Sequence, residues 1–399
     1  MEKKITVAIY SGKIPSSIFI ENLIKLIADK KIKIYLFGIG NKIDYKNVNI
    51  RTVLTPQKKM GKMFFVIYHL FQLIIRQPKK AFRLFKNHKI FSRSKSPFNS
   101  LSKILPVLNY TPDIFHIQWA KSLPFWFFLK SIFGVKIILS LRGSHINYSA
   151  IADPVLSKDY NDLFPLVDKM HAVSNKIVSK AERFGANYKN IQVIRSSLDL
   201  KKLNKFKKTV FETHKPFRFL SVGRFHWVKG YHYCLSAISQ IKKMGKSVEY
   251  SIISEKNISE ELLYQIYDLS IEKEVKILNP KSQDDVYRTM RDSDCLILSS
   301  IEEGISNVVL ESMAIGLPVV SSDCGGMKEV IKDSITGFNF RTRDTGSLKN
   351  VLLKVIELGI DERQILSNSS RSFIQEDFLP EFIKAEFHKL YKVTMRANC

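Results

Sequence analysis

The chain of 399 residues carries 63 Lys+Arg against 37 Asp+Glu, a formal net charge of +26, and is 45% hydrophobic. It is too long for one core and fits two units of roughly 190–200 residues, each able to bury a good interior. Its four cysteines, Cys234, Cys295, Cys324 and Cys399, have neither metal-ligand nor paired spacing, which excludes a disulfide framework and fits a reduced, cytoplasmic setting.

The first predicted strand, residues 5–10 (ITVAIY), starts almost at the first residue and leaves no room for a signal peptide. A turn at Ser11-Gly12-Lys13 and a strand at 32–37 follow. Residues 45–112 then hold 14 Lys+Arg and no acid, laced with apolar and aromatic residues in FFVIYHLFQLIIRQPKKAFRLFKNHKIF. The longest apolar run, 63–75, is interrupted by His69 and Gln72 and is too short to span a bilayer. Such a segment suits an anionic membrane face, where each nearby cation contributes on the order of 1 kcal/mol. The alternative is a helical pair that packs its Phe and Leu inward and merely solvates its lysines. Basic patches with aromatics also bind nucleic acid; no helix-turn-helix, zinc-finger or stacking motif accompanies this one, and no nucleic-acid partner is expected. Through residue 210 there are 38 Lys+Arg against 11 Asp+Glu, whereas the remainder has 25 against 26, so the whole excess is N-terminal.

Further strands are predicted at 114–117, 136–141, 169–173 and 191–194, with helical stretches between. After a polar linker at 201–216 (KKLNKFKKTVFETHKP) the pattern repeats at 217–221, 248–253, 275–278, 295–298, 318–321 and 337–340, and a last amphipathic helix covers 380–395. This alternation implies parallel sheets with crossover helices and ligands at the strand C-termini.

The densest functional signal is EGISNVVLE (303–311), between DCLILS (294–299) and PVVS (318–321). Ser306 and Asn307 suit the N-cap of a helix over 308–315, and Gly316 before Leu317-Pro318 suits its stop. The backbone N–H groups of Gly304, Ile305, Ser306 and Asn307 would then be unpaired and suit a phosphate or polar ligand. Glu303 would stand at the rim of that pocket and accept hydrogen bonds from sugar hydroxyls, and Glu311 would take a ribose diol. Either acid alone also reads as a solvated surface carboxylate; the spacing and context favour the binding reading.

The longer stretch EEGISNVVLESMAIGLPVVSSDCGG (302–326) resembles the donor-site signature of the retaining glycosyltransferases of the GT-B fold, family 4-like (glycosyl transferases group 1), which include sucrose synthase and the bacterial phosphatidylinositol mannosyltransferase. FLSVGR (219–224) followed by Lys229-Gly230 resembles the same family's strand, Val-Gly-Arg loop and Lys-Gly helix start. In that family the Arg and Lys hold the diphosphate of a nucleotide-sugar, which puts Arg224, beside Gly223, and Lys229 in those roles. The resemblance covers nearly the whole chain, strongly over 222–340 and loosely before 200. It implies an α/β architecture, GT-B, with two Rossmann-like domains whose parallel sheets face each other across a cleft. The acceptor-binding domain would cover 1–205, the donor-binding domain 216–379, and a C-terminal helix at 380–399 would cross back to the first.

In the N-terminal domain Gly12 stands where the family often has a glycine-rich loop near the donor phosphate, and it reads equally as a plain turn. DIFHIQW (113–119) resembles the family's Asp-Val-Val-His-x-His stretch, with Gln118 in place of the second His. LSLRGSH (139–145) resembles its Thr-x-His-Gly or Arg-Gly-Ser-Asp pattern, with Arg142 where many relatives have the active-site histidine and His145 where the Asp falls. Arg142 would face a phosphate or an anionic acceptor, and His145 a hydroxyl proton; His116 reads as a hydrogen-bonded strand residue. IRSSLD (194–199) replaces the usual Ile-Pro-Asn-Gly-Val-Asp, and Ser254-Glu255 a glycine-rich turn near the nucleotide, so the donor base is unreadable.

The expected reaction moves a sugar from a nucleoside-diphosphate-sugar to a hydroxyl of a saccharide, lipid-linked by family context, with retention of configuration. Catalysis would rest on Arg224 and Lys229 drawing charge onto the departing diphosphate, with Glu303, Arg142 and His145 around the sugar and acceptor. No cofactor and no metal is expected: Asp292-Ser-Asp294 reads as an acidic turn before a strand. The setting would be surface-polysaccharide assembly (O-antigen, capsule or exopolysaccharide) by a cytoplasmic protein peripheral on the inner membrane face. Two alternatives stay open. A phosphorylase or sugar-nucleotide epimerase would use the same cleft but need inorganic phosphate or no acceptor, and a basic membrane- or nucleic-acid-binding module would bind without catalysis.

Overall fold

The structure is a computed structural model describing residues 4–40, 43–87, 96–212, 214–254, 257–280 and 282–396. One compact unit takes the chain up to Ser197 and again from Pro380, and the second is Leu198–Leu379. The first holds a seven-stranded sheet of β1 (Ile5–Ile14), β2 (Ile32–Gly40), β3 (Ile50–Thr55), β4 (Ile114–Ile117), β5 (Lys136–Leu141), β6 (Lys169–Ala172) and β7 (Ile191–Val193), in the order β3-β2-β1-β4-β5-β6-β7. The second holds six strands, β8 (Phe217–Val222), β9 (Val248–Ile253), β10 (Val275–Leu278), β11 (Cys295–Leu298), β12 (Val319–Ser322) and β13 (Phe338–Phe340), in the order β10-β9-β8-β11-β12-β13. Every strand pairing is parallel. Helices on both faces bury the central strands completely, which is why Val7, Ala8 and Ile9, and Cys295, Leu296 and Ile297, read as unbroken apolar runs.

In each sheet the strand order reverses once, between β1 and β4 and between β8 and β11. The C-terminal strand ends at such a reversal are the place where doubly wound sheets bind ligands. An aspartate before the strand fixes three of these neighbours. Asp113 accepts from Thr6 N at 2.8 Å, Asp168 from Ile137 N at 2.8 Å and Asp294 from Arg218 N at 2.8 Å, each tying the start of one strand to the next. Asp294 also meets His214 Nδ1 at 2.7 Å. The Asp-x-Asp thus owes its second acid to strand alignment.

Three expectations need revision. The strand at 5–10 runs on to Ile14 with a register shift between Tyr10 and Gly12, so Gly12, φ +80, is a bulge within β1 rather than a turn after it. The edge strand β3 was not predicted. The stretch 201–216 is no free linker: Lys208 is 5% exposed and its ammonium donates to the carbonyls of Arg291 and Ser293 at 2.9 and 2.8 Å.

The C-terminal helix Pro380–Arg396 belongs to the first unit, and its Tyr391 closes a buried polar chain across β4, β5 and β6. The Ile194 carbonyl can only accept, so His171 Nε2–H donates to it at 2.8 Å. His171 Nδ1 therefore accepts from Ser140 at 2.9 Å, Ser140 accepts from His116 Nε2–H at 2.9 Å, and His116 Nδ1 accepts from the Tyr391 hydroxyl at 2.8 Å. Every member is satisfied, and both imidazoles must be neutral. Burial depresses both, His116 well below its ordinary value and His171 to about 3. Since the unfolded chain binds these protons near pH 6.5, stability present above 6.5 is lost as the pH falls toward 3, by about 1.4 kcal/mol per pH unit for each histidine. His171→Gln should flatten the fall of stability between pH 6 and 4 by about that slope. Chemical denaturation at several pH values reads it, and an unchanged slope would contradict neutral burial.

Candidate functional site

At the switch point of the second sheet, β8 is followed by Gly223-Arg224 and leads through a 3₁₀ turn, Trp227–Lys229, into the helix Tyr231–Lys243. Gly230, φ +62, makes the tight entry, and a Cβ there would overlap the Ser299 carbonyl. The end of β11 is sewn to this turn by Ser299 Oγ donating to Lys229 O at 2.8 Å and Ile301 N donating to Val228 O at 2.7 Å. Gly223 keeps the space beside the Lys229 stem open: a Cβ would lie 3.3 Å from Lys229 Cε.

This scaffold brings Lys229 and Glu303 together. Lys229 Nζ lies 2.6 Å from Glu303 Oε1, which also accepts from Ser300 Oγ at 2.9 Å. Glu303 Oε2 takes no hydrogen bond among the described residues, so one edge of the carboxylate is fixed and the other can receive a hydroxyl. Arg224 is exposed. Burial first, then the charges of Arg224 and Lys229, depress the His226 imidazole, which marks a positive field over the loop. The arrangement can neutralise an anion and orient a polyol at one place.

The helix Asn307–Ile315 starts one residue before the expected 308. Ser306 makes no side-chain cap, and its N–H points to Met327 Sδ at 3.5 Å, so that donor is weakly engaged rather than unpaired. Asn307 Oδ1 is buried and unpartnered. Gly304 accepts from Gly326 N at 2.9 Å, which lays the 324–326 loop along the acidic loop with Ile305 between β11 and the helix. Glu311 is buried, 8% exposed, and accepts from the Tyr287 hydroxyl at 3.2 Å; burial pushes its carboxyl up to about 7. It is therefore no solvated surface acid. Its partner Tyr287 is itself within cation–π reach of Lys202, 5.6 Å from the ring centroid.

Of the residues expected in the first unit, Gln118 follows β4 and Arg142 follows β5. Arg142 Nη2 donates to Gln118 Oε1 at 2.8 Å and the guanidinium lies 4.7 Å from the Phe19 ring centroid. His145 opens a π-helical turn, His145–Ser149, and its ring packs at a tilt against Trp119, centroids 5.5 Å apart; burial and Lys121 lower its pKa. Gly12 has open space around it. His116 lies inside the sheet, 0% exposed, as a structural residue. Glu255 and Cys399 fall outside the described residues.

Sequence reasoning missed Ser300, which holds the Glu303 carboxylate, and Gly325, φ +52, whose missing side chain lets the loop pass the Glu303 carbonyl. The signals were present as the Ser299-Ser300 pair after the strand and the tandem Gly325-Gly326.

Residues 202–373 match the family model described as glycosyl transferases group 1. The chain is 31% identical over 204 residues to the amylovoran biosynthesis glycosyltransferase AmsK of Erwinia amylovora, covering 50% of each. It is 26% identical over 238 residues to the putative colanic acid biosynthesis glycosyltransferase WcaL of Escherichia coli, covering 58% of each. The matched stretches thus span only half to three-fifths of these relatives. Among solved structures, sucrose-phosphate synthase from Thermosynechococcus elongatus superposes with a TM-score of 0.74 at 16% identity, covering 99% of this chain and 100% of that one. HepE of Anabaena in complex with UDP superposes with a TM-score of 0.68 at 18% identity, covering 98% and 100%. The fold is the α/β GT-B fold expected from the sequence, with two Rossmann-like units.

Proposed function

From the match of residues 202–373 to the glycosyl transferases group 1 model, we propose that the protein moves a glycosyl group from a nucleoside-diphosphate-sugar to an acceptor hydroxyl, with retention of configuration, in the assembly of a bacterial exopolysaccharide. The observation that carries this reading is the Lys229–Glu303 pair, 2.6 Å apart at the switch point of the second sheet, with Arg224 and Lys229 both acting on His226 of the same loop. In the step itself the bond between the anomeric carbon and the diphosphate oxygen breaks, and the acceptor oxygen bonds to that carbon on the same face. The acceptor proton leaves with the diphosphate, whose growing charge Lys229 and Arg224 meet without a metal. Glu303 Oε2 orients the sugar hydroxyls, and the buried Glu311 carboxyl serves the ribose. The names of AmsK and WcaL support the polysaccharide setting, and the UDP held by HepE supports a nucleotide donor. Incubation with isotopically labelled UDP-, GDP- and ADP-sugars and a lipid extract of an exopolysaccharide-producing bacterium tests it. Label from one donor should move into the lipid-linked saccharide fraction with its anomeric configuration kept; release of inverted product would overturn the mechanism.

The first unit would dock on the inner membrane face. The helices Lys59–Arg76 and Pro78–Lys86 bury only Val66, His69, Leu73, Ala81 and Leu84. They leave Phe64, Ile67, Tyr68, Phe71, Ile75 and Phe82 more than half exposed, among the exposed cations Lys59, Arg76, Lys79, Arg83 and Lys86. Phe65 packs inward with Leu73 and Leu84, whereas Phe64, Phe71 and Phe82 do not, and no helix among the described residues is long and apolar enough to cross a membrane. An apolar ridge with basic flanks is the pattern of an interfacial helix. The protein should sediment with vesicles of phosphatidylglycerol and phosphatidylcholine in equal parts and far less with phosphatidylcholine alone. A Phe64→Ser, Phe71→Ser, Phe82→Ser variant should bind roughly tenfold or more weakly; equal sedimentation of variant and wild type would remove the docking face.

A further inference from the structure

Gln118 and Arg142 directly follow two adjacent strands, β4 and β5, beside the switch point of the first sheet, and their polar atoms are incompletely used. Gln118 is 1% exposed, and its Nε2 is buried without a partner; so is Arg142 Nε. Because the two residues already share a 2.8 Å hydrogen bond, these spare donors occupy one small volume. No carboxylate pairs with Arg142 among the described residues; its hydrogen-bond and cation–π partners are Gln118 and the Phe19 face, and its charge also reaches the neutral His116, His171 and Tyr391. Asn147, 4% exposed on the π-helical turn that follows, leaves both its Nδ2 and Oδ1 unpartnered. Burying donors without acceptors is destabilising, and more so on a cation. Burial lowers the Arg142 pKa to about 10, so the group stays charged at neutral pH.

We propose that Arg142 and Gln118 bind an oxyanion, a carboxylate or phosphate, carried by the acceptor, and that this site selects acidic acceptors over neutral ones. A sugar hydroxyl would satisfy one N–H but leave the guanidinium uncompensated. A carboxylate or phosphate accepts from several N–H donors at once and matches the planar fork of arginine. Trp119 packs edge-on against Phe19 at 5.6 Å and faces His145 at 5.5 Å, which gives the site an apolar wall that strengthens an ion pair inside it. His145, its pKa lowered by burial and by Lys121, contributes a neutral imidazole rather than a second cation. The inference rests on the glycosyltransferase reading only in naming the carrier of the anion as the acceptor.

The test uses the full chain with Trp227→Phe, which leaves the indoles at 119 and 126 as reporters, both in the first unit. Fluorescence is titrated with glucuronate, methyl glucuronate ester and inorganic phosphate. Saturable change with glucuronate, absent with the ester and roughly tenfold or more weaker in Arg142→Met, establishes the site and a carboxylate source. The same pattern with phosphate alone establishes it with a phosphate-bearing acceptor. Arg142→Lys, which keeps the charge and loses the fork, should fall between. No saturable change with either anion, or equal change in Arg142→Met, overturns the proposal. UDP binding in Arg142→Met is followed alongside: its retention shows the variant folded. Failure of nucleotides to bind the wild type would sink the function reading while leaving the anion site standing or falling on its own titration.

Discussion

Lys229→Ala should lower kcat by roughly 10²–10³ while leaving the fold intact. The lysine sits on a turn that Gly230, Ser299 and Val228 hold in place through backbone contacts, so its own side chain is not needed to build the loop. Its ammonium and the Glu303 carboxylate are each about a fifth exposed, and a pair of that kind contributes no more than about 1 kcal/mol to stability. Its effect on the reaction is larger for a different reason. Charge grows on the diphosphate as the glycosyl bond breaks, and a cation already in position stabilises that charge without reorganisation. Removing it also leaves the Glu303 carboxylate facing the phosphates with no counter-charge. Activity and stability should therefore separate: kcat collapses, and the melting temperature moves by no more than a few degrees. A parallel loss of both would make Lys229 a structural residue.

The second large effect is expected at Gly325. Its φ of +52 costs a side-chain-bearing residue roughly 1–2 kcal/mol. In addition, a Cβ would overlap the backbone oxygen of Glu303, which is not a flexible side-chain end that can step aside. Gly325→Ala must displace the acidic loop, break the Gly326–Gly304 bond and move the carboxylate that Lys229 and Ser300 hold. Misplacement of about 1 Å at a catalytic group lowers rates by roughly 10². Gly245→Ala is the control: it has a comparable φ of +77 with nothing within 4 Å, so it carries the backbone penalty without the collision. The difference between the two variants in melting temperature and in kcat/KM isolates the loop displacement. If they behave alike, Gly325 serves only the turn.

How far the site was legible follows from what kind of signal each part leaves. The strands of the second unit fell within a residue of their observed ends because central parallel strands are short apolar runs bounded by turn residues. Lys229 and Glu303, 74 positions apart, were assigned to one site by motif resemblance, and the adjacency of β8 and β11 explains their meeting. What stayed hidden depends on register or on single contacts. The edge strand β3, IRTVLT, exposes Arg51 and lacks the apolar run. The chain from Tyr391 through His116 and Ser140 to His171 joins residues on three strands and a distant helix. Only the pairing of Ser140 with His171 and of His116 with Ile138 reveals it. Lys208 looked like linker because composition cannot show a lysine that ends on two buried carbonyls. The exposed phenylalanines of the basic helices could be read either way until their faces were known.

The measurement that tests the central claim most directly is calorimetric titration of the wild type and Lys229→Ala with UDP, GDP and ADP and their common sugar conjugates, with chelator present throughout. Micromolar binding of one nucleotide, retained in chelator and lost in Lys229→Ala, is the predicted result and names the donor base. Folded wild-type protein that binds none of them, or binds equally with and without the lysine, would contradict a donor site built on the Lys229–Glu303 pair.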